Sequence, residues 1–165
     1  MKIELKRISF SERMSEETYA FTADLYINGK KVGECKNTGQ GGCTDYYGIK
    51  HYHSDDIQKA EAYCKTLPKV KYGDSEWEES LEGVINQLLE DWLKAKDQKK
   101  LERKMLKAIY IGLPNSDPRS YYGFKVALST IPTGQLQASV DRIKAKLENG
   151  EVILNTNLEA LGINV

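Results

Sequence analysis

The sequence predicts an α+β fold: an antiparallel or mixed sheet, opening with an N-terminal β-meander and packed against three to four helices, in one domain over residues 1–165. Three observations lead there. A period-two apolar pattern over Thr18–Ile27 runs into Asn28-Gly29, the dipeptide best suited to a two-residue hairpin turn. Apolar residues at helical spacing recur after Asp55, after Ser75 and around Leu136–Leu147. The strand patterns cluster rather than alternating with helices, in the order β-β-β-α-α-β-β-α-β, which argues against a doubly wound nucleotide-binding sheet.

In chain order, Lys2–Phe10 reads as a strand with Ile3 and Leu5 on one face, slipping near Arg7-Ile8, where a bulge or the strand's end is expected. Ser11–Glu17 is a polar connection. Thr18–Ile27 puts Tyr19, Phe21, Ala23, Leu25 and Ile27 on one face. The return strand runs from Lys30 to Asn37. An unbroken register there would turn Glu34 and Lys36 into the core, so a bulge at Gly33 that turns Cys35 inward is expected instead. Residues 39–53 read as a loop. Ser54-Asp55-Asp56 starts a short helix with Ile57, Ala60, Cys64 and Leu67 on its apolar stripe, ended by Pro68. Lys69–Tyr72 has extended character.

The longest helix is expected from Asp74 or Ser75, with Trp77, Leu81, Val84 or Ile85, Leu88 and Trp92 on its buried face. One helix to Lys107 and two helices broken near Asp97-Gln98 both fit the pattern. Ala108–Gly112 and Tyr121–Leu128 read as strands of a hairpin around the Pro114–Pro118 turn. Leu136, Val140, Ile143 and Leu147 give a helix stopped at Asn149-Gly150. Glu151–Leu154 reads as an edge strand, and a last turn runs through Leu158 and Leu161 to Gly162.

Composition excludes several classes. Lys+Arg and Asp+Glu are equal at 24 each, so no net charge draws nucleic acid or an acidic membrane. Seven cations between Lys94 and Lys107 surround a helix without interleaved aromatics and read as a solvated helix end. No run approaches the roughly 20 apolar residues of a membrane helix, and the N-terminus lacks a signal-peptide core. Three cysteines without a CxxC pair suggest reduced thiols and a cytoplasmic setting. Ten tyrosines against three phenylalanines favour half-wet surfaces over a dry aromatic core.

Chemistry-bearing residues concentrate in Gly39–His53. Four readings compete for this stretch. Cys43, His51 and His53, with Asp45 and Asp55 near, are zinc-type donors, although their spacing matches no zinc finger. Cys43 with His51 or His53 as base imitates a cysteine nucleophile, with Gly41 and Gly42 N–H groups as oxyanion donors, but no cysteine-enzyme signature surrounds it. Gly39, Gly41 and Gly42 could cradle an anion beside Lys50, with Tyr46, Tyr47 and Tyr52 stacking on a nucleotide base; no P-loop lysine-serine follows. Last, Tyr46, Tyr47 and Tyr52, with Tyr121 and Tyr122 elsewhere, have the composition of a protein-binding surface. That reading asks least of the residues, so the expected function is non-enzymatic binding of a protein partner, with a homo-oligomer compatible and no resident cofactor. The runner-up is nucleotide binding, and the third a cysteine- or metal-dependent hydrolase.

Ser15–Thr18, Phe21–Ala23, Tyr26–Gly33 and Gly41-Gly42 together resemble small uncharacterised proteins encoded by phages and mobile elements, over about the first third of the chain. The resemblance implies an accessory protein that binds a host or defence component or sequesters a signalling nucleotide. It brings no catalytic residues.

Overall fold

The computed structural model describes residues 1–49, 55–73 and 75–165. The protein is α+β, and every strand pair is antiparallel. It forms two compact units, Met1–Leu93 and Lys94–Val165.

The first unit is built on a four-stranded sheet of order β1 (Ile3–Phe10), β2 (Phe21–Ile27), β3 (Lys30–Asn37), β4 (Asp45–Gly48). The β2–β3 turn places both Asn28 (φ 50°) and Gly29 (φ 83°) in the left-handed region, as the Asn-Gly dipeptide predicts. β1 and β3 each carry a bulge, the second at Val32, one residue before the expected Gly33, which pairs with Leu25. The β1–β2 register shifts between Lys6 and Ser9, with Arg7 at φ 51°. The β2–β3 register shifts at Val32, so Cys35 faces Ala23 and is buried while Glu34 and Lys36 turn outward.

Phe21, Ala23, Leu25 and Ile27 then line a core completed by Ile57, Ala60 and Cys64 of α1 (Asp55–Cys64) and by Leu81, Ile85 and Leu89 of α2 (Leu81–Met105). Burying each leucine or isoleucine contributes about 1.5–3 kcal/mol relative to exposure. The opposite sheet face is polar, as one-sided antiparallel sheets allow. There Asp24 is held by Arg7 and by Lys31 (2.8 Å), and Lys31 also meets Glu34 (2.9 Å). These partners keep the Asp24 carboxyl below the usual carboxylate range, the Lys31 hydrogen bond most of all.

The second unit centres on a three-stranded sheet of order β8 (Ser120–Gly123), β7 (Ala108–Gly112), β9 (Val152–Ile153). Leu136, Val140 and Ile143 of α3 (Thr133–Lys144) pack with Ile109, Ile111, Leu128, Ile153, Leu158 and Ile163. Asn155 is the buried polar residue of this unit. Its amide oxygen accepts from Tyr110 N–H (2.7 Å) and its Nδ2 donates to the carbonyls of Ala108 (2.9 Å) and Met105 (3.4 Å).

Several sequence expectations change. Residues 39–53 are not loop throughout: Asp45–Gly48 forms β4, because Tyr46 gains burial opposite Cys35, and Gly39, Gly41 and Gly42 precede the paired stretch. Tyr19 precedes β2 and is exposed, its ring edge-on to Phe10 at 5.9 Å. The long helix starts at Leu81, where Ser80 Oγ accepts the Gly83 N–H (2.9 Å) as a cap. Ser75–Trp77 instead forms β6 against β5 (Val70–Tyr72), and Trp77 is 63% exposed rather than a core anchor. With that start, Leu89 and not Leu88 continues the buried row from Leu81 and Ile85. The helix runs unbroken through Asp97-Gln98. The Tyr121–Leu128 strand is short, ending at Gly123 before a 3₁₀ turn at Leu128–Thr130.

Candidate functional site

The arm over residues 38–44 joins β3 to β4, and together with β4 it carries most of the candidate residues. It begins as a tied turn. The Gly39 carbonyl accepts three N–H groups, from Glu16 (2.9 Å), Glu17 (3.0 Å) and Thr18 (3.3 Å). Asn37 ties the other side. Its Oδ1 accepts from Gly39 N–H and Thr18 Oγ1, both at 2.9 Å. Its Nδ2 donates to the Gly42 carbonyl (2.9 Å) and Thr44 Oγ1 (3.3 Å). Gly39 sits at φ 89°, and a Cβ there would overlap the Met14 carbonyl oxygen. Its glycine is therefore required by both conformation and space.

Thr44, 4% exposed, anchors the arm to α2. Its N–H donates to Glu82 Oε1 (2.8 Å) and its hydroxyl to Asn86 Oδ1 (2.7 Å). From there β4 places Tyr46 inward and Tyr47 outward. Tyr46 packs on the core and its hydroxyl donates to Glu61 Oε1 (2.9 Å). Burial first, then that hydrogen bond, pushes its pKa up to about 12. Tyr47 is half-buried on the polar face, with Lys36 Nζ 6.0 Å from its ring centroid. Ile49, two residues on, is 59% exposed, its N–H bonded to the Val32 carbonyl.

This geometry sorts the candidates. Gly39 and Gly41 both spend their N–H groups inside the turn, on Asn37 Oδ1 and Thr18 Oγ1 (3.3 Å). A Cβ on Gly41 would meet the Glu17 carboxylate, so a negative charge lies against the place an anion would occupy. Gly42 has open space about its Cα. Cys43 is exposed at the outer bend, a free thiol, whereas Cys35 and Cys64 are buried. Burial pushes the Cys35 thiol up to about 12. Lys50, His51, Tyr52 and His53 lie outside the described residues, so the geometry of the zinc-type and Cys-His pairings does too. Among the described residues no three His, Cys, Asp or Glu side chains converge on a metal position, and no helix is long and apolar enough to cross a membrane.

Thr18, Asn37, Thr44, Glu82 and Asn86 hold the arm in place and carried no sequence signal beyond Asn37-x-Gly39, a spacing typical of a side-chain-closed turn. Glu61, which fixes the Tyr46 hydroxyl, carried none. Comparison with protein-family models, curated proteins and solved structures finds no match to this chain.

Proposed function

We propose that the protein is a non-enzymatic binding module that engages a protein partner through β4 and the arm leading into it. The observation that carries this reading is the placement of Tyr47 and Ile49. They lie on or just beyond the outermost strand of the sheet, fed by a turn already fixed by Asn37, Thr18 and Thr44. A partner contacting this surface meets aromatic and aliphatic area with little of the ordering cost that a loose loop would impose. Lys36 and Asp45 pair across β3 and β4 beside it and supply a polar rim. The resemblance of the first third of the chain supports a mobile-element accessory, with a host or defence component as the partner.

The test is comparative affinity purification from the source cell with wild type and Tyr47→Ala. Tyr46 is a poor choice because its loss also opens the core. Loss of specific partners in Tyr47→Ala, with melting temperature retained, is the expected result. An identical partner list would remove this surface from the function.

A further inference from the structure

Among the described residues β8 of the second unit is an edge strand, bonded to β7 on one side only. The ladder phase follows from the Phe124 N–H bonded to the Lys107 carbonyl at 2.8 Å. In an antiparallel pair, hydrogen-bonded positions alternate, so Tyr122 exchanges bonds with Ile109. The N–H and C=O groups of Tyr121 and Gly123 therefore point away from the sheet. Edges of this kind are normally blunted by charge, proline or cover. Ser120–Gly123 has none of these: it reads Ser-Tyr-Tyr-Gly and every residue is exposed.

The surroundings of this edge are selective. Tyr121, 65% exposed, stacks on Tyr110 at 5.5 Å on one face. On the other face, Tyr122, Gly123, Phe124, Ser139, Arg142, Ile143 and Lys146 line a cavity of about 290 Å³ between β8 and α3. Among the described residues no carboxylate lines it. Among the described residues neither Arg142 nor Lys146 forms an ion pair; Arg142 Nε donates to the Ala138 carbonyl. Two cations thus converge beside an open row of backbone donors and acceptors.

We propose that β8 takes up an extended acidic peptide segment of a partner protein as an additional strand, with one acidic side chain seated between Arg142 and Lys146. Main-chain bonds to Tyr121 and Gly123 would supply binding, and the cavity would supply selection, because side chains of an added strand alternate between the Tyr121 face and the Tyr122 face. This surface is separate from β4, and either can fail without the other.

The test uses the full-length chain and two fluorescein-labelled peptides, one alternating valine with glutamate and one alternating valine with lysine. Anisotropy is expected to show the glutamate peptide binding ~10-fold or more tighter than the lysine peptide, an advantage that shrinks with added salt. Amide exchange at Tyr121 and Gly123 is expected to slow on binding, while Tyr122, already bonded to β7, stays unchanged. Arg142→Glu with Lys146→Glu is expected to weaken binding at least ~10-fold with circular dichroism unchanged. Tyr121→Pro removes an outward N–H and leaves the inner ladder, so it too is expected to abolish the protection, read in that variant at Gly123. Equal binding of the two peptides, no binding of either, or protection elsewhere would overturn the proposal. So would protection of Tyr121 and Gly123 that rises with protein concentration and needs no peptide, which would mean the edge pairs with a second copy.

Discussion

The Thr44 hydroxyl donates to Asn86 Oδ1 at 2.7 Å, a bond closed across 42 residues of chain. Thr44 Oγ1 also accepts from Asn37 Nδ2, so one buried hydroxyl links β3, the arm and α2. Thr44→Val keeps shape and volume and removes both bonds, leaving two amide groups short of a partner. The expected cost is about 1–3 kcal/mol, read as a lower urea midpoint with unchanged slope. Thr44→Ser retains the hydroxyl and should recover most of it. A valine variant as stable as wild type would mean that the link adds nothing to the fold.

Gly39 and Gly42 make a matched pair three residues apart. Gly39→Ala forces a Cβ into the left-handed region and against the Met14 carbonyl. The backbone term alone is about 1–2 kcal/mol, and the overlap adds to it. Gly42→Ala meets nothing within 4 Å and should stay within about 0.5 kcal/mol of wild type. Thermal unfolding of both variants decides between a glycine required by the turn and a glycine-rich stretch tolerant throughout.

The contrast between those two glycines also shows what the sequence made legible. The β2–β3 hairpin and its bulge could be read because their causes are local: Asn28-Gly29 sets the turn, and two charges two residues apart forbid the unbulged register. Strand β4 could not, because four residues are too few for a period and its reason for pairing, Tyr46 against Cys35, lies across the sheet. The early start assigned to the long helix came from Trp77, whose spacing matches Leu81 but whose side chain stays in solvent. Of the site, the tyrosines were visible by composition. The polar network that positions them was not, since Thr44, Glu82 and Asn86 meet only after the sheet and α2 have packed.

Asn155 plays the corresponding part in the second unit. Its side chain satisfies the Tyr110 N–H and the Ala108 carbonyl, where β7 and the chain end come together. Among the described residues no buried side-chain nitrogen or oxygen lacks a partner. Asn155→Leu would take the side-chain partner away from the Tyr110 N–H and the Ala108 carbonyl. A loss of about 2–4 kcal/mol is expected, with faster amide exchange at Tyr110 than at the β2–β3 amides. An unchanged exchange rate at Tyr110 would show that water takes over the role of the side chain.

Cys35 supplies the pH prediction. Its folded pKa, near 12, is raised mainly by burial and secondarily by the charges of Asp24 and Glu34; unfolded, a thiol titrates near 8.5. A group whose folded pKa is raised contributes its full stabilisation below the unfolded value and loses it as pH climbs toward the folded one. The window is therefore about pH 8.5 to 12, and the loss from this thiol is at most about 1.4 kcal/mol per pH unit. Cys64 is shifted in the same direction, and Tyr46 titrates late as well, so alkaline unfolding of wild type alone cannot be assigned. The informative quantity is the difference from Cys35→Ala, which keeps both other groups. At pH 7 the alanine variant should be less stable because it loses buried volume beside Ala23. Above pH 9 that deficit should shrink steadily, because only wild type unfolds toward a state that releases the Cys35 proton. Denaturant midpoints under reducing conditions at pH 7, 9 and 10 measure it, and two parallel curves would place Cys35 in a wetter setting than beneath the sheet.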